Sequence, residues 1–429
     1  MLNGLFVIVA VSSILLAGVT GRMEALTQAI LASARDAVTL AIGLVGVMAF
    51  FLGLMRVAED GGLLRQIARA IGPVMQRLFP GVPIDHPAMS AMILNISSNM
   101  LGLGNAATPF GIRAMEQLDT LNGRKGTASN AMVLFLAINT AGLAVLPSGV
   151  VGLRVSLGST DATGIFFPTW FASGTATLVG ILAATALARL PRFRETEPPV
   201  IAPEGASTTA AQAGDHPERA PTSRRWVVWI FWAAFLAVLT RHLVAPLVAE
   251  PIPTLVRGVL SFWMLPALVA GLILYGWQRG VRVYDSLVAG AKQGFEVSLR
   301  IIPYLVAILV AVGMFRAAGG IDAMVTIISP LTNLIGMPAE ALPMAVLRPL
   351  TGSGAFGVMA EIMNTHGPDS LVGYMVSTFQ GSTETTFYVF AVYFGAVGIT
   401  DTRHALPACL LADVAGILAA VFIVNVMFG

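Results

Sequence analysis

The sequence is short of charge, nearly without lysine, and carries a single thiol. Only 11 % of its 429 residues are Asp, Glu, Lys or Arg, against roughly 25 % in an average soluble domain. So few charges cannot cover the surface of a soluble protein of this length. Of the 25 basic residues only Lys125 and Lys292 are lysine. The arginines lie between apolar runs rather than on one soluble face, which excludes a nucleic-acid binder. Cys409 stands alone, so there is no disulfide framework and no thiolate metal cage. The five histidines, His86, His216, His242, His366 and His404, show no metal-ligand spacing. There is no Walker motif, so any driving force is an ion gradient or downhill flow. Gly102-Leu-Gly-Asn-Ala-Ala107 imitates a dinucleotide loop, but no strand–loop–helix unit surrounds it.

What the sequence has is apolar length. A helix needs about 20 apolar residues to cross the hydrocarbon core. Leu2–Thr20, Ala37–Met55, Ser129–Leu153, Gly164–Ala188 and Gly258–Gln278 reach about that length without a charge. Leu2–Thr20 lacks a basic n-region and reads as a retained helix rather than a signal peptide. Trp226–Val248 qualifies apart from Arg241 and His242, and Val297–Phe315 apart from Arg300, which can snorkel. Ser370–Ile399 holds Glu384 at its middle, and Ala405–Phe428 holds Asp413. Residues 190–225 differ in kind. Pro191, Pro198, Pro199, Pro203, Pro217 and Pro221 alternate there with charged and small residues. That composition cannot bury a core and predicts a disordered linker.

Arginines crowd both ends of this linker, which places it in the cytoplasm by the positive-inside rule. Counting outward puts 17 of the 25 basic residues inside and 6 outside, with Arg300 and Arg348 within membrane segments. The count requires Asp85–Gly111 and Ala339–Gly367 each to enter and leave on one side. Both are interrupted by Gly, Pro and small polar residues, a pattern tolerated at membrane depth only in protein or against a wet cavity. The two regions also share a preamble. Arg56, Gly61-Gly62, Ile71-Gly-Pro73 and Gly81-Val-Pro83 precede the first; Arg316, Gly319-Gly320, Ile328-Ser-Pro330 and Gly336-Met-Pro338 precede the second. The expected fold is therefore an all-α polytopic membrane protein of about ten transmembrane helices plus two broken, re-entrant hairpins in two inverted structural repeats. The expected units are a membrane half at 1–189, the cytoplasmic linker at 190–225 and a second membrane half at 226–429. The expected location is the inner (plasma) membrane, with the N-terminus and linker cytoplasmic and the C-terminus outside.

Longer motifs carry a resemblance. Thr20-Gly-Arg-Met-Glu24, Asp36-Ala-Val-Thr-Leu-Ala-Ile-Gly43 and Asn95-Ile-Ser-Ser-Asn-Met-Leu-Gly-Leu-Gly-Asn-Ala-Ala-Thr-Pro-Phe-Gly111 resemble spore maturation protein A. Arg348-Pro-Leu-Thr-Gly-Ser-Gly354, His366-Gly-Pro-Asp-Ser370, Gln380-Gly-Ser-Thr-Glu-Thr-Thr-Phe-Tyr388 and Tyr393-Phe-Gly395 resemble spore maturation protein B. The chain looks like a natural fusion of the two. Both belong to the nucleoside-recognition, or Gate, group, with relatives in ferrous-iron transporter B and concentrative nucleoside transporters. The resemblance implies a transport-like membrane core, and neither sporulation nor nucleosides as such.

Ionisable and polar groups inside the apolar segments mark the candidate site. A carboxylate at the bilayer centre costs about 2.5–3.5 kcal/mol on insertion scales, so Glu384 needs a cavity or a partner. Arg348 carries the same argument, and pairing with Glu384 or Glu361 relieves both charges. Asn95, Ser97, Ser98, Asn99, Asn105 and Thr108 offer amides and hydroxyls on the first broken segment, with Asn139 and Thr140 as counterparts in the next span. Thr351, Ser353, Gln380, Ser382, Thr383 and Thr385 flank the charged pair. Packing through small residues is the competing reading for these polar runs. Glu361 and Asp413 are candidates for ion coupling, with pairing the alternative. The leading function is a secondary transporter or permease for a small polar or ionic solute. A membrane scaffold that organises envelope partners is the alternative, followed by an intramembrane enzyme, for which Ser353 and Ser382 lack a nearby activating base. The implied partners are the lipid bilayer, a small solute, a coupling ion and a second copy of the chain. No metal and no cofactor are implied.

Overall fold

The computed structural model describes residues 2–101, 107–143, 145, 147–200, 222–244 and 263–429. These residues are helical, with two isolated β-bridges, Asn122–Val200 and Thr127–Asp401. A peripheral helix α1 (Leu2–Thr20) leads into the long α2 (Met23–Asp60) and the short α3 (Leu63–Leu78). A hairpin follows, formed by α4 (Pro87–Met100) and α5 (Thr108–Thr120). Next come two half-length helices, α6 (Asn130–Thr140) and α7 (Ser148–Ser156), and the long α8 (Phe166–Ala188). A single turn α9 (Pro191–Arg194), then α10 (Thr222–Val244) and α11 (Met264–Gln278), lead to the second half.

The same order then recurs. A long α12 (Val283–Ala317) and a short α13 (Gly320–Asn333) precede a hairpin built from a 3-10 turn at Ala339–Ala341, α14 (Leu342–Leu347) and α15 (Gly352–His366). Then α16 (Leu371–Ser382) stops and α17 (Thr386–Val389) restarts, running into a π-helical turn at Phe390–Phe394. The chain ends in α18 (Ala405–Phe428).

Elements in matching positions pack on one another in opposite directions. In α2 and α12, Ser33 meets Gly313 while Ala49 meets Gly294, so the helices run antiparallel. In α8 and α18, Ala176 meets Gly416, Gly180 meets Ala412, and the rings of Phe171 and Phe422 lie 6.2 Å apart. Small residues on these faces let the backbones approach closely, as in membrane helix packing.

Three of the described helices, α2, α8 and α18, are long and apolar enough to cross a membrane. Their outer faces leave Ile42, Leu178, Leu182, Phe422 and Val426 bare. Exposed apolar surface on this scale needs lipid or another protein to cover it.

Two expectations are corrected here. Ser129–Leu153 and Ser370–Ile399 read as continuous spans, but both are broken at mid-length. In the first, Gly142 takes φ +55° and Pro147 caps α7, so the helix stops at Thr140 and restarts at Ser148. In the second, Thr383 and Thr385 adopt extended backbone, the geometry that β-branched side chains favour. The second correction concerns the linker, expected to be disordered from residue 190. Its start is packed: Gly123 N–H donates to the Pro199 carbonyl (2.9 Å), Asn130 Nδ2 to Glu197 Oε1 (2.6 Å), and Arg403 Nε to Thr196 Oγ1 (3.2 Å). Residues 222–225 already belong to α10. The rest of the predicted linker, 201–221, lies outside the described residues.

Candidate functional site

The two breaks meet one another. The Glu384 N–H donates to the Thr140 carbonyl (2.8 Å), joining the end of α6 to the gap between α16 and α17. Gly142 is required here twice over. Its φ is positive, and a Cβ would stand 3.0 Å from both Glu384 Cγ and Glu384 N. The break thus lets one backbone lie against the other, and it exposes polar groups that an unbroken helix would hide.

Arg348, at the turn between α14 and α15, reaches into this crossover. Its Nη2 donates to the Thr383 carbonyl and lies 3.5 Å from Glu384 Oε2, and Nη1 donates to Thr385 Oγ1 (3.3 Å). The expected Arg348–Glu384 pair is therefore present. Its two members differ sharply in environment, the Arg348 side chain being 4 % exposed and that of Glu384 52 %. Thr383 and Thr385 on either side are buried, so of the three only Glu384 is exposed.

The first hairpin joins through amides. Asn95 Nδ2 donates to the Ala107 carbonyl (2.8 Å) and to the Tyr393 hydroxyl (3.1 Å). Asn139 Oδ1 accepts from Asn99 Nδ2 (2.9 Å) and from Tyr393 Oη (3.4 Å), while its own Nδ2 donates to the Phe135 carbonyl (2.9 Å). Tyr393 thus ties hairpin, α6 and the π-helical turn together, and it stacks on Phe135 at 6.0 Å. Sequence reasoning missed it as a site residue; its fit depends on Gly111, where a Cβ would stand 2.2 Å from the phenol ring.

The other candidates divide. Ser97, Ser98, Thr140 and Ser382 turn their hydroxyls back onto carbonyls of their own helices, as a satisfied packing residue does. Thr351 caps α15, accepting from Gly354 N–H (3.1 Å). Ser353 and Gln380 line a cavity of about 250 Å³ with Met48, Leu305 and Phe356, and Gly352 on the same lining stands against Thr385 and Arg348. Thr108 is half-buried at the start of α5, and Asn105 lies outside the described residues. Asp413 is buried and accepts from Thr386 Oγ1 (2.6 Å). Glu361 is drawn away from the crossover: it pairs with Arg316 at the end of α12, not with Arg348. Several buried polar atoms near the crossover have no partner, among them Asn95 Oδ1, Arg348 Nε, Thr383 Oγ1 and Asp413 Oδ1. Among the described residues no cluster of His, Cys, Asp or Glu could hold a metal.

Two hairpins and two broken helices converging on one polar centre raise the question of whether the halves are kin. The sequence profile named Gate, nucleoside recognition, matches twice, over residues 41–156 and 298–400, together just over half of the chain. The chain belongs to the nucleoside-recognition (Gate) family. Each Gate stretch takes in the later part of one long helix, one hairpin and one broken helix, so the whole crossover except Asp413 falls inside the matches. The chain is also similar to spore maturation protein B of Bacillus subtilis (45 % identity over 170 residues, 40 % of this chain and 96 % of that protein). It is similar to spore maturation protein A of the same organism (39 % over 194 residues, 45 % of this chain and 97 % of that protein). Each covers part of the chain, as in a fusion of the two. No solved structure matches. These names and the bare apolar helices describe a membrane protein, and none of the names carries an enzymatic activity.

Proposed function

We propose that this Gate protein is a secondary transporter or permease for a small polar or ionic solute, held where its two broken helices cross. One observation carries the reading: the half-exposed Glu384 carboxylate between buried neighbours, held at the crossover by buried Arg348. A core meant only to pack would spend or exclude such a charge. A site that binds and releases a solute keeps one side of it open and leaves acceptors and donors unspent nearby. Asp413, buried beside this centre with one oxygen unpartnered, is the candidate for ion coupling.

The matching element order and the antiparallel packing of α2 on α12 and α8 on α18 support an inverted repeat, the architecture on which alternating access runs. The topology drawn from the arginines finds support in loop contacts. Segments assigned to the outside meet: Arg154 bonds Asp369 (2.9 Å), Arg22 lies against Gly319, and Asn425 Nδ2 donates to the Gly336 carbonyl (2.8 Å). Segments assigned to the cytoplasm meet likewise, since Arg403 bonds the Ala128 carbonyl (3.1 Å). In this reading the N-terminus and linker are cytoplasmic, the C-terminus is outside, and the two hairpins open to opposite faces of the plasma membrane. The units 1–189 and 226–429 are the two halves.

The test is a thermal-shift screen of the purified chain against nucleosides, carboxylates, amino acids and metal ions, repeated on Arg348→Met/Glu384→Gln. A ligand of the folded state raises apparent stability. We expect a compound that stabilises the parent and loses its effect in a double variant that still melts cooperatively. A shift that survives in the double variant puts the solute elsewhere. Glu384→Cys in a Cys409→Ala background adds a direct check: the thiol should react with a water-soluble maleimide while Asp413→Cys stays protected.

A further inference from the structure

A cavity lies away from the crossover, where α8 ends and the linker begins. It measures about 650 Å³ and is walled by Phe79, Leu118, Leu134 and Thr185, with Arg189 and Arg194 on its lining. Pro199 and Val200 close it from the linker side, fixed by the Gly123–Pro199 hydrogen bond and the Asn122–Val200 bridge. Glu197 also lines it, but its carboxylate accepts from Asn130 Nδ2 (2.6 Å). The two arginine side chains make no hydrogen bond or ion pair among the described residues. The body of the cavity is therefore apolar, and its charge is net cationic, two arginines against the one Glu197 carboxylate.

Its position says what can enter. Leu178, Leu182, Thr185 and Arg189 recur at the spacing of one helical face of α8. Leu178 and Leu182 are exposed, at 58 % and 56 %. The lining of the cavity thus continues into an apolar stripe on a spanning helix, and that stripe leads to the arginine at the helix end. Within a bilayer the molecule that reaches such a stripe is lipid. We infer that this cavity binds one anionic glycerophospholipid, its phosphate between Arg189 and Arg194 and an acyl chain along Thr185, Leu182 and Leu178. Arginine forks suit phosphate oxygens, and cytoplasmic-side basic pockets at membrane level hold acidic headgroups. The bound lipid would seal the ordered start of the linker onto the first half. This inference rests on the membrane character of the chain and not on transport.

The test uses the purified full chain in detergent, melted with increasing phosphatidylglycerol, with phosphatidylcholine of the same acyl chains, or with inorganic phosphate. We expect phosphatidylglycerol alone to raise the melting temperature, by roughly 2–5 °C near saturation. Equal shifts from the two lipids, or an equal shift from phosphate, would overturn the proposal with no variant needed. Arg189→Gln/Arg194→Gln should lose the phosphatidylglycerol shift, and Arg189→Lys/Arg194→Lys should keep most of it. Thr185→Trp, which blocks the chain track and leaves both arginines, should lose it too. A shift retained by Thr185→Trp means headgroup attraction at a surface and refutes the cavity.

Discussion

Arg154 and Arg348 are both buried arginines that reach across from one half or segment to another, and they end differently. Arg154, on α7, has no exposed surface. Its Nη1 donates to the Pro368 carbonyl (2.6 Å) and Ser377 Oγ (3.2 Å), and its Nη2 to the Asp161 carbonyl (3.0 Å), Ser159 Oγ (3.4 Å) and Asp369 Oδ1 (2.9 Å). The guanidinium also sits 4.4 Å over the Tyr374 ring. Arg348 bonds one carbonyl, one hydroxyl and a half-exposed glutamate, amid unpartnered atoms on Asn95, Thr383 and Asp413. Both guanidiniums keep a buried, unpartnered Nε, and Asp161 beside Arg154 keeps an unpartnered Oδ1; what differs is that the two Nη atoms of Arg154 make five hydrogen bonds, whereas those of Arg348 make two and lie beside a half-exposed glutamate. That difference separates a clamp from a site, and burial alone does not.

The comparison breaks most easily at Arg154. Arg154→Met removes a buried cation from five acceptors and leaves Asp369 without its countercharge. Losing one partner of a buried pair typically costs about 3–5 kcal/mol. Chemical denaturation of the detergent-solubilised protein should show a loss of this order. Arg348→Met should cost less, about 1–3 kcal/mol, the worth of hydrogen bonds to a charged group, because the half-exposed Glu384 is not left as a buried unpaired charge. Equal losses would mean that both arginines are clamps.

How far the sequence could carry this contrast depends on the reach of each interaction. The Arg348–Glu384 pair was legible because two lone charges in apolar segments need each other, whatever the geometry. The clamp was not, because Pro368 and Asp369 lie more than 200 residues from Arg154 and nothing local marks them. The helix breaks were hidden for a different reason. Ser129–Leu153 is apolar throughout, and Gly and Pro are tolerated within membrane helices. Only the packing of Gly142 against Glu384, a tertiary fact, selects where the helix stops. The hairpins, by contrast, announced themselves through dense polar residues. The linker start looked unable to fold because its composition lacks a core; its order comes from Arg403 and from backbone hydrogen bonds to the first half.

Glu384→Gln sharpens the same comparison from the site side. It removes a half-exposed carboxylate but leaves the 4 %-exposed Arg348 with only the Thr383 carbonyl and the Thr385 hydroxyl as acceptors, so its cost lies between the roughly 1 kcal/mol of an exposed pair and the roughly 3–5 kcal/mol of a fully buried one. The variant should therefore melt below the parent but stay folded, and yet lose the ligand-induced shift. A variant that unfolds would move Glu384 into the class of Arg154 and remove the observation on which the functional reading stands.

The smallest effect is a pH dependence confined to the clamp. Asp369 lies in the turn between α15 and α16, outside the helices. Burial raises its affinity for protons, but hydrogen bonds from Ser159 Oγ and from Thr160 N–H and Oγ1, with the Arg154 charge, outweigh that and hold its carboxyl below the ordinary range. A carboxylate depressed in the folded state contributes stability above its unfolded pKa, about 3.9. It loses that contribution as pH falls through the lowered folded value. The parent should therefore be more stable than Asp369→Asn at pH 6, and the gap should close toward pH 3. One proton limits the slope to about 1.4 kcal/mol per pH unit, so the effect is read as a difference between two melting curves at each pH. A gap that stays constant from pH 6 to pH 3 would mean that Asp369 contributes shape rather than charge, and that the Arg154 clamp rests on its carbonyls alone.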